Sequence, residues 1–216
     1  MYRPILTRCS LPLLALGLTA CGGPIVHDLK PLPGMEAEVP EITEVTEILF
    51  ETTAGDIRIA VYPEAAPNAA QRFVELVESG YYDDTPVSRV VEGFVAQFGV
   101  NWRQPHKAQR DQSIADDPRL FAHERGTLAF AKAGPDTAST QVFINLVENN
   151  RLADEDPRYR FTVFGNVIEG MDAVDAFVRV GDPSGGLDQN RLWNNGDAYL
   201  ESLSVKPTMI LSAKVL

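Results

Sequence analysis

Short runs of β-branched and apolar residues, each closed by a turn signal, recur from Thr46 to the end of the chain. The first two runs, 48–53 and 57–62, are joined by Ala54-Gly55-Asp56, which is typical of a β-hairpin. In the second run apolar and more polar residues alternate, as they do in a strand with one buried face. Further runs lie at 87–98, 127–131, 142–147, 161–167 and 209–215. The pattern predicts a mainly β protein.

Two helices are predicted among these strands. Asn68 stands at an N-cap position, and apolar residues recur at helical spacing from Ala70 to Val77 until Gly80 ends the helix. A second, short helix is predicted over 171–178. About eight strands, with one helix after the second strand and another near the end, predict a closed eight-stranded antiparallel β-barrel capped by two α-helices.

The segments between these elements are predicted as loops. Residues 99–125 are polar and irregular and contain two prolines, so we interpret them as a long surface loop that carries His106 and His123. Asn194-Asn195-Gly196 marks another loop. If the long loop folds over the rim of a groove, the titration of either histidine would appear in a pH profile of activity.

Charge and ligand spacing exclude several kinds of function. Nineteen Lys and Arg against 30 Asp and Glu give a net charge of −11. Such an acidic chain repels phosphate backbones, so no nucleic-acid partner is expected. The three histidines and two cysteines show no metal-ligand spacing, so no metal site and no cofactor are predicted.

Residues 1–20 are predicted to be a lipoprotein signal peptide. Arg3 and Arg8 form a basic start, residues 11–18 form a short apolar core, and two small residues precede Cys21. The ending resembles a bacterial lipobox, which implies that Cys21 is lipidated and becomes the mature N-terminus. The alternative is a plain secretion signal cleaved elsewhere, with Cys21 incidental.

Residues 21–45 are predicted to be a tether that follows the lipidated cysteine. The segment is rich in proline, glycine and glutamate and shows neither helical nor strand periodicity. Prolines make such a chain semi-extended, so it can hold a domain away from a membrane surface. An unordered extension without a spacing role is the alternative interpretation. The folded domain is predicted to span 46–216.

Four ordered blocks within this domain resemble one protein family. They are Phe50-Glu51-Thr52-Thr53-Ala54-Gly55-Asp56-Ile57 with the following Pro63-Glu64-Ala65-Ala66-Pro67-Asn68, Arg89-Val90-Val91-Glu92-Gly93-Phe94-Val95-Ala96-Gln97, Ala131-Lys132-Ala133-Gly134-Pro135-Asp136-Thr137 through Gln141-Val142-Phe143-Ile144, and Thr162-Val163-Phe164-Gly165-Asn166-Val167-Ile168-Glu169-Gly170-Met171. The family is the cyclophilins, and the C-terminal residues look most like those of bacterial periplasmic members. The resemblance implies peptidyl-prolyl cis–trans isomerisation, without a cofactor, on an eight-stranded barrel with two capping helices.

The resemblance also implies a set of site residues. Arg89 matches the family's catalytic arginine, whose guanidinium hydrogen-bonds the prolyl residue, and Phe94 and Gln97 belong to the same motif. The implied substrate-binding residues are Gln141, which with Gln97 holds the peptide backbone, the pocket residues Val95, Phe143, Leu152 and Phe161, and Ala131 and Lys132, whose backbone pairs with the peptide.

Some positions depart from the common pattern of the family. Ser88 and Phe161 stand where many members have histidine, Val95 is shorter than the usual methionine, and Arg151 falls where an aromatic residue is common. Two hypotheses therefore stay open. One is an active isomerase, which the retained Arg89 favours. The other is a membrane-tethered chaperone or assembly module that binds proline peptides with little catalysis.

The same resemblances suggest partners and a location. The expected partners are proline-containing unfolded or flexible polypeptides, and the lipid bilayer through the acyl anchor at Cys21. Gly22 rather than aspartate follows the cysteine, which resembles lipoproteins sorted to the outer membrane. We therefore expect a lipid-anchored monomer in the cell envelope, on the outer membrane and facing the periplasm.

Overall fold

Eight strands close into a barrel in the part of the chain that this computed structural model describes, residues 29–153 and 160–216. In chain order the strands are β1 (Thr46–Thr52), β2 (Gly55–Val61), β3 (Thr85–Val90), β4 (Val95–Phe98), β5 (Thr127–Phe130), β6 (Val142–Asn145), β7 (Val163–Glu169) and β8 (Met209–Val215). Their order around the barrel is β1-β2-β7-β5-β6-β4-β3-β8, and every neighbouring pair is antiparallel. The predicted fold class is confirmed.

Alternation along the strands fills the barrel interior with apolar side chains. On β1 and β2, Ile48, Phe50, Ile57 and Ile59 are buried, whereas the residues between them are partly accessible. Six aromatic rings form the centre of the core, with neighbouring centroids 5.1 to 6.5 Å apart. They belong to Phe50, Phe73, Tyr82, Phe98, Phe130 and Phe164. Such ring pairs stabilise the core beyond the area that they bury.

Helix α1 (Pro67–Glu78) covers this core, because its Phe73 joins the aromatic cluster. The prediction of Asn68 as the N-cap is wrong, since Ala66 occupies that position and makes no side-chain cap. The free backbone N–H groups of Asn68 and Ala69 instead donate to the Asp117 carboxylate, at 3.1 and 2.9 Å. Asp117, 49 positions from Asn68, thus caps the helix in place of a local residue.

Two further helices follow β7. Helix α2 (Met171–Asp175) packs on the barrel core through Ala173 and Val174 and is shorter than predicted. Helix α3 (Gln189–Ser202) extends on both sides of the loop predicted at Asn194-Asn195-Gly196, and of that loop only the non-helical backbone of Asn195 is found. Asp188 caps α3 by accepting the N–H of Arg191, and the helix is kinked at Asn195.

Packing explains why α3 forms despite its Asn-Asn-Gly sequence. Leu192 and Trp193 are buried in a small second core with Val100. A Cβ on Gly196 would lie only 2.0 Å from the Trp102 ring, so only glycine permits this approach. The tertiary contact therefore overrides the weak local helix propensity.

The long segment 99–125 is more than the surface loop that was predicted. It contains a 3₁₀ turn at His106–Asp111, and it buries side chains at several positions. The buried residues are Val100, Asn101, Asp117, Phe121, Ala122 and His123. The polar members of this set have specific hydrogen-bond partners, which is why a polar sequence can lie inside the fold.

Residues 29–45, which the sequence analysis assigned to a tether, lie against the domain, and we call them the strap. Leu32 packs on Ala122 and Ala153, and its N–H donates to the carbonyl of Leu120 at 2.9 Å. The predicted signal 1–20, Cys21 and residues 22–28 lie outside the described residues. Within the described ranges, no helix has both the length and the apolar character needed to cross a membrane.

Candidate active site

Alternation on β4 and β6 decides which residues face the outside of the barrel. The residues that join the barrel core are Ala96, Phe98, Val142 and Ile144. The residues that alternate with them point to the opposite side of the sheet: Val95, Gln97, Phe143 and Asn145. Predicted site residues on both strands therefore share the outer surface.

Strand register places the predicted catalytic and pocket residues in one row. Arg89 of β3 pairs with Gln97 of β4, and Gln97 pairs with Phe143 of β6. Directly opposite residues of an antiparallel pair lie on the same face, with Cβ atoms about 5 Å apart. This row, together with Gln141 and Leu152, lines a surface that we call the groove. Its polar rim is Arg89, Gln97 and Gln141, and its apolar floor is Val95, Phe143 and Leu152.

The polar rim is a chain of hydrogen bonds. Arg89 Nη1 donates to Gln97 Oε1 at 3.3 Å, and Gln97 Nε2 donates to Gln141 Oε1 at 2.9 Å. Gln141 Oε1 also accepts a bond of 3.1 Å from Gln189 Nε2, at the start of α3. Gln189 was not predicted as a site residue, because no local motif marks it and helix α3, which begins there, was not predicted either.

The Arg89 guanidinium is held in place yet keeps donors to spare. Its Nε donates to the carbonyl of Ser184 at 2.6 Å, and its Nη1 holds Gln97. Of the five N–H donors of an arginine, three therefore have no partner among the described residues. Partial burial lowers the pKa of Arg89 from its ordinary value, which is so high that the group stays charged near neutral pH.

The apolar floor is a buried cluster. Val95, Phe143 and Leu152 pack in it with Ala129, and Phe94, Ala131 and Phe161 pack against it from the edges. The rings of Phe143 and Phe161 meet edge to face, with centroids 5.5 Å apart. The four predicted pocket residues, Val95, Phe143, Leu152 and Phe161, are thus brought together, with Phe94 beside them. Such a surface suits a compact apolar ring such as that of proline.

A buried histidine, His123, supports this floor from below. Its ring stacks on Phe143 with centroids 6.0 Å apart. Its Nε2 lies 3.1 Å from the carbonyl of Phe161, and its Nδ1 lies 3.1 Å from Asn145 Nδ2. A carbonyl oxygen can only accept, so Nε2 carries the proton and Nδ1 accepts from the amide.

The support continues through two asparagines. Asn149 Nδ2 donates to Asn145 Oδ1 and to the carbonyl of Phe94, each at 2.9 Å. The backbone N–H of Leu152 donates to the carbonyl of Asn149 at 2.8 Å. One buried polar network therefore holds backbone groups of Phe94, Leu152 and Phe161, three apolar residues of the floor and its edges. Nothing in the sequence predicted this network, because His123 is a single histidine in a polar segment.

His123 lies beneath the floor. The prediction of a surface loop had allowed it to lie over the rim of the groove instead. Burial lowers the pKa of its imidazole to about 4, although the hydrogen bond to Phe161 opposes the shift. The ring is therefore neutral at physiological pH. His106 lies elsewhere, with its ring edge-on to that of buried Tyr81.

Ala131 and Lys132 follow directly after β5 at the edge of the groove. The Ala131 N–H donates to the carbonyl of Gln141 at 2.8 Å, so it is already used within the barrel. The backbone N–H and C=O of Lys132 have no partner among the described residues and are the groups available to a peptide. The Lys132 ammonium pairs with Asp116 at 2.5 Å, and its side chain is only 3% exposed.

No group of three or more His, Cys, Asp or Glu side chains within the described residues is arranged to hold a metal ion. The segment 154–159, which follows Leu152 and Ala153, lies outside those residues. Within the described residues, the groove offers the unpartnered donors of Arg89, neutral amides and an apolar floor. Such a set can bind and polarise a peptide group without transferring a proton.

Comparison with known proteins supports this chemistry. The family model described as "Cyclophilin type peptidyl-prolyl cis-trans isomerase/CLD" matches residues 47–192, a range that contains the rim and the floor. A peptidyl-prolyl cis-trans isomerase of Acinetobacter baylyi is 35% identical over 149 residues, covering 67% of this chain and 78% of that protein. Peptidyl-prolyl cis-trans isomerase B of Escherichia coli is 31% identical and covers 73% of this chain and 98% of its own.

Solved structures show the same fold. A cyclophilin-type peptidyl-prolyl cis-trans isomerase of Cryptosporidium parvum superposes with a TM-score of 0.59 at 18% identity, covering 80% of this chain and 98% of its own. A second structure of that protein, determined in the presence of the dipeptide Ala-Pro, has a TM-score of 0.58 at 19% identity. At such low identity these two structures bear on the fold alone.

Proposed function

The chain belongs to the cyclophilin-type peptidyl-prolyl cis–trans isomerase family and is a peptidyl-prolyl isomerase, and we propose that the groove is the place where it rotates X-Pro bonds. The single observation that carries this proposal is the row from Arg89 through Gln97 to Phe143. That row sets a cation with free donors beside an apolar surface that can hold a proline ring.

The physical task requires no cofactor. Amide resonance opposes rotation of the X-Pro bond with a barrier of about 18–20 kcal/mol, so the uncatalysed exchange takes tens to hundreds of seconds. Rotation breaks this resonance and returns a lone pair to the prolyl nitrogen. A site that binds the twisted amide more tightly than the planar one therefore accelerates the exchange.

Arg89 is the group assigned to this preference. A guanidinium N–H beside the prolyl residue meets little electron density on the planar nitrogen and a lone pair on the twisted one, so its hydrogen bond strengthens as resonance is lost. The bonds to Ser184 and Gln97 orient the guanidinium before the substrate arrives. Preorganisation of this kind removes the need to reorient a donor during rotation.

The remaining residues hold the substrate still on one side of the rotating bond. Phe143, Leu152 and Val95 bind the proline ring, with Phe94 and Phe161 at the edges. Gln97 and Gln141 offer amide groups to the peptide backbone, and Lys132 offers its own N–H and C=O for strand-like pairing. Because the floor holds the proline ring, the part of the peptide on the other side of the X-Pro bond rotates.

A protease-coupled or NMR exchange assay on a short X-Pro peptide tests the proposal with the full chain. We expect catalysed exchange that depends on Arg89. A chain that binds the peptide but does not accelerate its exchange would contradict the proposal and favour the second hypothesis, a proline-peptide-binding chaperone or assembly module.

We further propose that the enzyme acts on unfolded or flexible polypeptides of the cell envelope, as a lipoprotein anchored through Cys21. The support is the signal-like sequence of 1–20 and the lipobox-like residues before Cys21. One acyl chain binds a membrane only marginally, so stable anchoring requires the several chains of a processed lipoprotein.

Intact mass and fractionation test the anchor. Mature protein recovered from bacterial membranes should carry a lipid mass increment at Cys21 and should fractionate with the outer membrane. Cys21→Ser should remove the increment and release the protein or leave it unprocessed. A mature protein without added mass at Cys21 would contradict the anchor, whereas recovery with the inner membrane would contradict the sorting.

A further inference from the structure

Two guanidinium groups flank a single ring at the edge of the groove. The Arg89 guanidinium lies 5.6 Å from the centroid of the Phe94 ring, and the Arg151 guanidinium lies 5.1 Å from it. Both distances fit cation–π contacts. Arg89 has the isomerase role proposed above, but Arg151 is exposed and has had no role so far.

Neither guanidinium is neutralised by a carboxylate in the part of the chain that the structure describes. Arg89 bonds only to neutral oxygens, those of Ser184 and Gln97. Burial lowers the pKa of Arg89 from its ordinary value. Arg151 makes the contact with Phe94 and forms no ion pair with a described residue.

Three carboxylates on the neighbouring segments have other partners. Glu92 forms an ion pair with Arg179, whereas Glu148 and Asp182 keep their charge and accept hydrogen bonds from the neutral Asn150 and Ser184. Lys132, a further cation beside the groove, is neutralised by Asp116. Among the described residues, two guanidinium groups without a carboxylate partner therefore meet at Phe94, on a chain whose net charge is −11.

We propose that Arg151 makes the enzyme selective for acidic substrates, peptides that carry an aspartate or glutamate next to the isomerised proline. The inference rests on the proposed function, because it assumes that the proline ring occupies the apolar floor. Phe94 borders that floor, so a residue beside the bound proline passes within reach of Arg151. An arginine presents two parallel N–H donors that match a carboxylate.

The acidic character of the whole protein does not prevent this selectivity. At physiological ionic strength, interactions between exposed charges more than about 8 Å apart are largely screened. A carboxylate beside the proline would meet Arg151 at contact distance, where screening is weakest. Exposed ion pairs contribute about 0.2–1 kcal/mol, which corresponds to an effect of up to about fivefold on kcat/KM.

Pairs of blocked peptides that differ only in glutamate or glutamine test the proposal. One pair carries the variable residue directly before proline and the other directly after it. NMR exchange measures kcat/KM for each peptide, because it requires no protease with its own specificity. The wild-type chain should prefer glutamate over glutamine by about two- to fivefold in at least one pair. Arg151→Gln should bring that ratio close to one.

Arg191→Gln is the matched control. Arg191 is also exposed and also stacks on a ring, 4.1 Å from the centroid of Tyr199 on α3, but it lies outside the groove. This variant should keep the wild-type ratio. A loss of selectivity in both variants would point to net charge rather than to Arg151 and would overturn the assignment.

Two other results would also overturn the inference. One is a wild-type ratio of one or less in both pairs, as would follow if Asp154, Glu155 or Asp156 occupied the guanidinium. The other is a glutamate preference that survives Arg151→Gln. Either result leaves the proposed isomerase intact, since the glutamine peptides would still be turned over. Failure to accelerate any peptide would instead contradict the proposed function itself.

Discussion

The apolar floor and the polar rim of the groove differ in how far their side chains are already committed to contacts within the protein. Val95, Phe143 and Leu152 are at most 6% exposed and rest on the buried network of His123, Asn145 and Asn149. Arg89 is half-buried and retains donors without partners among the described residues. The floor is therefore a finished surface, fully packed before a substrate binds, whereas the free donors of Arg89 find partners only when a substrate binds.

This difference suggests a division of labour. A finished apolar surface binds the proline ring equally well in the planar and twisted states, so it contributes to affinity. A free donor at the rim gains most when the prolyl nitrogen recovers its lone pair, so it contributes to rate. Changes to the rim should thus affect turnover, and changes to the floor should affect binding and stability.

The largest expected effect comes from the rim. Arg89→Ala should lower kcat/KM by about 100-fold, the scale of losing one preorganised donor to a transition state. The free energy of unfolding should change little, because the side chain lies on the outer surface. Coupled kinetics on a short X-Pro peptide and thermal unfolding measure the two quantities.

Arg179→Ala is the control for this change. Arg179 is an exposed arginine that pairs with Glu92 outside the groove, so its removal should leave kcat/KM within about twofold. If Arg89→Ala behaves like Arg179→Ala, the rim does not act on the rotating bond and the division of labour fails.

A second effect belongs to the floor and appears in stability. The pKa of His123 is about 4 in the folded chain and about 6.5 in an unfolded one. As the pH falls from 6.5 to 4, the unfolded chain takes up a proton that the folded chain does not, so the unfolded state is favoured. This group alone should lower the free energy of unfolding by about 3 kcal/mol across that window.

Denaturant unfolding at several pH values, with His123→Gln as the reference, measures this contribution. The variant lacks the titrating ring but keeps an amide that can donate to Phe161. Burial also raises the pKa of Asp117, and that group is common to both chains and cancels in the difference. Parallel stability curves for the two chains between pH 6.5 and 4 would show that His123 is not held neutral beneath the floor.

The smallest expected effect is the pH dependence of turnover. Rotation transfers no proton, Gln97 and Gln141 do not titrate, and Arg89 stays charged. The His123 ring titrates near pH 4. For an uncharged peptide, kcat/KM should stay constant within about twofold from pH 5.5 to 8. A sigmoidal profile with a midpoint near 6.5 would instead mean that a histidine contacts the substrate.

Much of the fold could be predicted because its strands carry local signals. The alternation in β2 and the Ala54-Gly55-Asp56 turn act within a few residues, and they predicted the first hairpin. Helix α3 could not be predicted in this way. Its Asn194-Asn195-Gly196 sequence is typical of a loop and does kink the helix at Asn195, whereas the turns on either side depend on the burial of Leu192, Trp193 and Tyr199.

The site residues differ in the same way, because some lie in local motifs and others meet only through long-range contacts. Arg89, Phe94, Gln97 and Phe143 lie in contiguous motifs, and strand register brings them together as the family resemblance implied. Gln189 reaches Gln141 from 48 residues away, and His123 meets Phe161 from 38 residues away. Such contacts depend on how the chain returns on itself, and no local pattern of residues records that path.

NMR exchange on one X-Pro peptide tests the central claim most directly, because a single titration yields both the dissociation constant and the catalysed exchange rate. Arg89→Ala should keep the wild-type affinity within a few-fold but lose about 100-fold in exchange rate. Phe143→Ala should instead weaken peptide binding, provided that circular dichroism shows the variant folded. Wild-type exchange in Arg89→Ala, or wild-type affinity in folded Phe143→Ala, would contradict that claim.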